Sequence, residues 1–187
     1  MISDTNSMID KVLIDEDSLN IRIKQLAKTI NEYYTDSKGP LIMVGILKGS
    51  VMFMAELAKY VKVDTEMEFM SVSSYDGTTS TGDVKILKDL DTDIKDMNVL
   101  IVEDIIDTGH TLLNLKNNLL KRGPKDIKLV TLLDKPERRV VDIKADWYGF
   151  KIPNEFVVGF GLDYNQLMRN IPYIGVLKSS VYENEQN

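Results

Sequence analysis

Apolar residues in this chain fall into short runs of strand length separated by stretches with a helical period. LIMVGIL (41–47) is unbroken, and EMEFMSV (66–72), NVLIVEDII (98–106) and IKLVTLL (127–133) follow with the same length and character. Between them the period changes to 3.6. A helix is predicted from about Asp17 to Tyr34, with Ile21, Leu26, Ala27, Ile30 and Tyr33 or Tyr34 on its buried side and Asp15 or Asp17 as cap, ended by the turn Asp36-Ser37-Lys38-Gly39-Pro40. A second runs from Val51 to Tyr60. A third carries Leu112, Leu113, Leu115, Leu119 and Leu120 on one face and stops at Lys121-Arg122-Gly123-Pro124. FVVGF (156–160) reads as one more buried strand. This alternation predicts an α/β fold whose parallel sheet is covered on both faces. No linker or repeat divides residues 1–187, so a single domain is expected. The polar stretch 73–83 (SSYDGTTSTGD) is the one low-complexity segment, either a long hairpin connection or a loop that closes over a ligand.

Composition narrows the function classes. The net charge of −6 argues against sequence-independent nucleic-acid binding, which depends on Lys and Arg neutralising phosphates. The chain has no cysteine, which removes disulfide and thiolate chemistry, and no apolar run suited to a signal peptide or a membrane span. A cytoplasmic protein without membrane contact is expected.

The chemistry concentrates at the ends of the strands. Glu103 and Asp104 close a buried strand, Asp107 follows, and Thr108-Gly109-His110-Thr111 leads into the third helix. Free backbone N–H groups and the positive end of a helix dipole make such a loop a phosphate cradle, while paired carboxylates suit ribose hydroxyls or a hard divalent cation. Lys48-Gly49 occupies a second strand-to-helix turn that can meet an anion, although GILKGS lacks Walker A spacing. Lys135 lies just past the strand 127–133, at the edge where α/β sheets collect ligands. GFGLDY lacks the third glycine of a dinucleotide fingerprint. His110 is the sole histidine, and its place in the loop calls for its backbone N–H rather than its ring. Asp134 has no derivable role, and Arg138 and Arg139 read as surface charges.

An apolar strand, two acids, two aliphatics and then Asp-Thr-Gly-x-Thr resembles the 5-phosphoribosyl-1-pyrophosphate (PRPP) signature of the type I phosphoribosyltransferases, and the chain is most similar to their bacterial hypoxanthine and hypoxanthine-guanine branch. The similarity runs from about Val12 to Val176. It implies a mainly parallel twisted sheet flanked by helices, a small hood lobe built from the N-terminal and C-terminal segments, and a flexible lid at about 73–83 whose Ser74-Tyr75 approaches pyrophosphate. It also implies purine salvage, with PRPP and a 6-oxopurine base as substrates, IMP or GMP as product, Mg²⁺ as cofactor and a homodimer or homotetramer as assembly. By the same resemblance Lys48, Gly49 and Arg169 bind pyrophosphate, and Glu103 and Asp104 hold the ribose hydroxyls. Thr108, Gly109, His110 and Thr111 take the 5-phosphate, and Asp107 is the general acid/base at nitrogen 7. Lys135 contacts the 6-oxo group, Phe156 stacks on the purine, Val157 offers its backbone to the purine edge, and Asp163 joins Glu103 and Asp104 on the metal.

Other readings compete. VLIVED also resembles the start of a phosphorelay receiver domain, but there the strand opens the domain and Asp107-Thr108-Gly109 has no place. Asp-Thr-Gly is the aspartic-protease triplet, but that enzyme needs two such loops in a β fold. A phosphoribosyltransferase-like regulator that binds RNA would want a basic face and no purine contacts, and Lys135 and Phe156 speak against it.

Overall fold

A computed structural model describes residues 5–74 and 84–182. The larger of its two sheets has six strands in the order β4-β3-β2-β5-β6-β7: β2 (Leu41–Leu47), β3 (Thr65–Ser74), β4 (Val84–Lys88), β5 (Asn98–Ile106), β6 (Asp126–Asp134) and β7 (Trp147–Lys151). All neighbours run parallel except β3 and β4. Alternation along the strands explains the two cores. Leu41 and Met43 of β2 and Leu100 and Val102 of β5 pack under α1 (Glu16–Tyr34) and α2 (Val51–Ala58). Ile42, Val44, Val99 and Ile101 point the other way, under α3 (His110–Leu120). Both faces are therefore apolar, which is why these strands read as runs rather than as alternating patterns.

A smaller antiparallel sheet joins β1 (Ile9–Ile14), β9 (Ile174–Leu177) and β8 (Val157–Val158) in the order β1-β9-β8, followed by a last short helix, α4 (Ser179–Tyr182). It joins residues 9–14 to residues 157–158 and 174–177.

The helices depart from expectation in detail. α1 begins at Glu16, capped by Asp15, whose side chain accepts from the Ser18 N–H at 2.7 Å. Its buried stripe runs through Leu19 and Ile23, and Ile21, expected inside, is 59% exposed. On α3, Leu112, Leu115 and Leu119 are buried and Leu120 is exposed, because 3.6-residue spacing cannot hold five leucines on one stripe. The predicted strand 156–160 is the largest correction: only Val157 and Val158 are strand, since Gly159 (φ +97°), Phe160 (φ +48°) and Gly161 (φ +104°) take left-handed backbone and turn the chain. Of the expected lid, Ser73 and Ser74 end β3, and 75–83, including Tyr75, lies outside the described residues.

Candidate active site

The order of the sheet reverses at its centre: from β2 the chain passes to β3 on one side and then to β5 on the other. Such a switch point opens a crevice at the carboxyl ends of the two central strands. Lys48-Gly49 leaves β2 there, through a cis Leu47–Lys48 peptide, and Glu103-Asp104 lies beside it near the carboxyl end of β5, which runs on to Ile106. The approach is close enough to define the residue. A Cβ on Gly49 would overlap the Asp104 carboxylate, and one on Gly161 would strike the Gly49 carbonyl. Three chain segments thus converge on one point.

Around it lies a charged rim. Arg169 donates to the Gly161 carbonyl at 2.7 Å and pairs with Asp163 at 2.6 Å. Lys48 Nζ donates to Gln166 Oε1 at 3.0 Å, while the Gln166 N–H donates to Asp163. Lys48, Asp163 and Arg169 are therefore neighbours through Gln166, a residue with no motif to mark it.

The two acids of β5 are held in an unfavourable setting. Burial pushes the Asp104 carboxyl up to about 6, against the pull of its own backbone hydrogen bonds and of Arg169. Burial, then the charge of Asp104, push Glu103 well above the carboxylate range, and Glu103 Oε2 is buried without a hydrogen-bond partner. A carboxylate pair left so poorly compensated suits a cation or hydroxyl donors brought by a ligand. Among the described residues no three acidic or histidine side chains converge as a metal group, so Glu103, Asp104 and Asp163 do not form a closed cage.

Asp107, Thr108, Gly109 and Thr111 line a cleft of about 220 Å³ with Glu103 and Ile46. Gly109, at φ +89°, caps α3 in the left-handed region with no side chain satisfying the first amides, so the helix presents free N–H groups and its positive end to the cleft. The His110 side chain is exposed. Asp107 pairs with Arg138 at 3.0 Å, with side chains 42% and 46% exposed; a pair this open is worth at most ~1 kcal/mol. Asp107 is thus free to exchange its partner.

On the other wall, Lys135 is buried rather than a surface lysine, and its Nζ donates to the Glu155 carbonyl at 2.8 Å. Burial lowers its pKa, opposed by Asp107 nearby. Phe156 remains 39% exposed, with Tyr182 of α4 stacked on it at 5.3 Å and 22° and Tyr164 meeting it edge-on at 5.8 Å. The Leu177 N–H bonds to the Phe156 carbonyl, which makes Val157–Val176 a non-hydrogen-bonded pair. Val157 therefore turns its own N–H and C=O away from β9, along the free edge of the sheet.

Arg139 is the clearest correction to the sequence reading. Far from a surface charge, its side chain is 14% exposed and donates to the carbonyls of Ile106, Asp107 and Ile143 and to the Asp134 carboxylate. Asp134, a charge directly after the mostly apolar run 129–133, was the signal available for it.

The chain matches the model of the phosphoribosyl transferase domain over residues 14–165. It is 54% identical over 175 residues to the hypoxanthine-guanine phosphoribosyltransferase of Lactococcus lactis subsp. lactis, covering 93% of this chain and 94% of that one. Among solved structures, a hypoxanthine phosphoribosyltransferase from Staphylococcus aureus superposes with a TM-score of 0.91 at 48% identity, over 97% of this chain and 98% of that one. A hypoxanthine phosphoribosyl transferase of Trypanosoma cruzi, studied for the role of its C-terminal region in oligomeric state and activity, gives a TM-score of 0.91 at 40% identity over 96% of each chain. With the strand order, the acidic pair in the carboxyl-terminal half of β5 and the phosphate-type loop before α3, these likenesses place the chain in the phosphoribosyltransferase family, with the type I fold and in the hypoxanthine-guanine branch.

Proposed function

We propose that this enzyme transfers the 5-phosphoribosyl group of PRPP to hypoxanthine or guanine, releasing pyrophosphate and giving IMP or GMP. The observation that carries the reading is the joining of two half-sites: the loop that starts at Asp107 and lines the cleft before α3, and a buried lysine, Lys135, whose backbone N–H bonds to the Ile106 carbonyl at the root of that loop at 3.0 Å.

Displacement at the anomeric carbon builds positive charge on the sugar and negative charge on the leaving group, so the chain must hold a polyanion, orient a weak nitrogen nucleophile and move one proton. The N–H groups of the 108–111 loop hold the 5-phosphate. Lys48, the Gly49 backbone and Arg169 bind pyrophosphate, and Ser74 and Tyr75 are assigned to the same group. Phe156 stacks on the base, Val157 meets its edge through the backbone, and Lys135 donates to the 6-oxo group. Asp107 leaves Arg138 to face nitrogen 7 as general acid/base. Glu103 and Asp104 take the ribose hydroxyls and Mg²⁺, with Asp163 the third carboxylate assigned to the cation.

The donors fit such an ion. They are hard oxygens, one of them an orphaned buried atom, and Mg²⁺ commonly takes one or two carboxylates plus substrate oxygens rather than a closed protein cage. When bound, Mg²⁺ supplies positive charge opposite the departing pyrophosphate.

Among the described residues no helix is long and apolar enough to cross a membrane, and we place the enzyme in the cytoplasm. We place it also in a homodimer or homotetramer; Val51 and Met52 of α2, Met67 of β3 and Leu87 of β4 leave apolar side chains exposed for that purpose. The test is nucleotide formation from PRPP and Mg²⁺ with hypoxanthine, guanine, xanthine and adenine offered separately. Product from hypoxanthine or guanine but not adenine is expected; no product from either 6-oxopurine would overturn the assignment.

A further inference from the structure

Asp134 and Arg139 have no part in the reaction as written, yet both are largely buried, with side chains 17% and 14% exposed. Two buried opposite charges are costly to desolvate, and they persist where their geometry is well satisfied. Here it is. The Arg139 fork donates through Nε to the Asp107 carbonyl at 3.1 Å, through Nη1 to the Ile143 carbonyl at 3.0 Å and through Nη2 to the Ile106 carbonyl at 3.2 Å, with Asp134 as its anion. The neighbouring backbone completes the set. The Lys135 N–H donates to the same Ile106 carbonyl at 3.0 Å, and the Val140 N–H donates to the Thr108 carbonyl at 3.1 Å.

Three consecutive carbonyls of the loop, those of Ile106, Asp107 and Thr108, are thus pinned toward the 135–143 segment. Across a trans peptide the N–H points opposite to the preceding C=O. Pinning these oxygens therefore turns the N–H groups of Asp107, Thr108 and Gly109 the other way, toward the cleft before α3. Gly109 closes the same contact: a Cβ there would meet Ile143 and Val141 and lie 3.1 Å from Arg139 Cδ.

We propose that the Asp134–Arg139 pair is a positioning device that presets the phosphate loop for the 5-phosphate of PRPP by fixing the Ile106 and Asp107 carbonyls. Neither residue touches substrate. The inference rests on the reading of the 107–111 loop as the 5-phosphate site. It predicts a defect located in PRPP binding, since the donors that lose their orientation are those meeting the 5-phosphate.

Arg139→Lys keeps the charge but cannot span three carbonyls and a carboxylate with one ammonium. Asp134→Asn keeps the shape of the partner and removes its charge. Titration of the full chain with PRPP and Mg²⁺ is expected to give a Kd about tenfold weaker for Arg139→Lys and about threefold weaker for Asp134→Asn, the scale of losing charge-assisted hydrogen bonds. The PRPP KM should follow. The hypoxanthine KM at saturating PRPP and the kcat should each change by no more than about twofold.

A wild-type PRPP Kd in folded Arg139→Lys would overturn the proposal. So would losses of PRPP affinity, hypoxanthine KM and kcat that all track a fall in Tm, the mark of a merely structural role. If Arg139→Lys does not fold, Asp134→Asn decides alone, and an unchanged PRPP Kd there overturns the proposal. Wild-type turnover tests the activity separately, because the positioning role is read from the ratio of variant to wild-type affinity, which titration gives whether or not any base is turned over.

Discussion

The proposed phosphate wall and the proposed purine wall of this crevice are built on different plans. The phosphate wall is continuous in the chain: Glu103 to Thr111 supplies its acids, its loop and its helix terminus, and its binding groups are mostly backbone N–H, fixed once β5 and α3 are in place. The purine wall is assembled from distant pieces, Lys135 after β6, Glu155 to Val157 beside the small sheet, and Tyr164 and Tyr182 behind them. A wall made of backbone is hard to change by substitution except through what holds it, whereas a wall made of side chains can be altered one group at a time. Asp107 belongs to the first wall in sequence and, as proposed, serves the second in chemistry, so it offers the sharpest break. Asp107→Asn should retain PRPP affinity and lower kcat by roughly 10²-fold or more, the usual scale of a positioned acid/base. Wild-type turnover in that variant at saturating substrates would remove Asp107 from the role.

Lys135 tests the purine wall alone. Its ammonium is buried and anchored on the Glu155 carbonyl, so removing it deprives a 6-oxo base of a donor that a 6-amino base cannot use. Lys135→Ala should narrow the ratio of kcat/KM for hypoxanthine over adenine by about tenfold or more, in line with the loss of a charged hydrogen bond. The PRPP KM should stay near its wild-type value, and an unchanged base ratio would refute the assignment.

Between the walls stands the acidic pair, and its effect is on stability. The folded-state pKa of Asp104 is raised by burial to about 6, above its value of 3.8 when solvated, and Glu103 is raised further by burial and by Asp104. A raised folded-state pKa means that the native state binds more protons than the unfolded chain across that interval. The contribution is thus fully present below about pH 4 and is lost as the pH rises through about 6. For the unliganded protein this contribution makes Tm fall over that range, and PRPP with Mg²⁺ should offset the fall. Asp104→Asn removes the buried charge: at neutral pH it should raise the Tm of the unliganded protein by about 2–4 °C while weakening PRPP binding. A Tm lower than wild type would show the pair to be better compensated than its burial implies.

The same contrast decides how much was legible in the sequence. The boundaries of β2 and β5, and the loop into α3, follow from apolar runs and glycine placement that act within a dozen residues. Ile21, exposed on α1, and the curtailed strand at 156–160 were misread because period and hydrophobicity do not say which face a neighbour covers or where a glycine takes φ above zero. Lys135 illustrates the limit on the purine side: a lysine in a polar stretch gives no sign of burial until folding brings the Glu155 carbonyl to its ammonium and the Ile106 carbonyl to its backbone. Arg139 and Gln166 were missed for the same reason, since their partners lie on segments brought near only by folding.

Tyr182 carries the smallest expected effect and the finest test of the two plans. Its ring stacks on Phe156, while the Tyr164 hydroxyl, edge-on to the same Phe156, donates to the Val181 carbonyl at 3.0 Å and so fixes α4 behind the base site. Aromatic pairs of this kind contribute about 0.5–1.5 kcal/mol beyond their buried area, which corresponds to a change of a few-fold in an equilibrium constant. Tyr182→Ala should therefore raise the hypoxanthine KM by about three- to tenfold through a less constrained Phe156, with Tyr182→Phe close to wild type because the ring alone makes the contact. The PRPP KM should not move, as no part of the 107–111 loop touches α4 in the contacts described. A variant that weakens PRPP as much as the base would mean that the walls are coupled through the C-terminal helix, and the division into a backbone-built and a side-chain-built half would fail at that point.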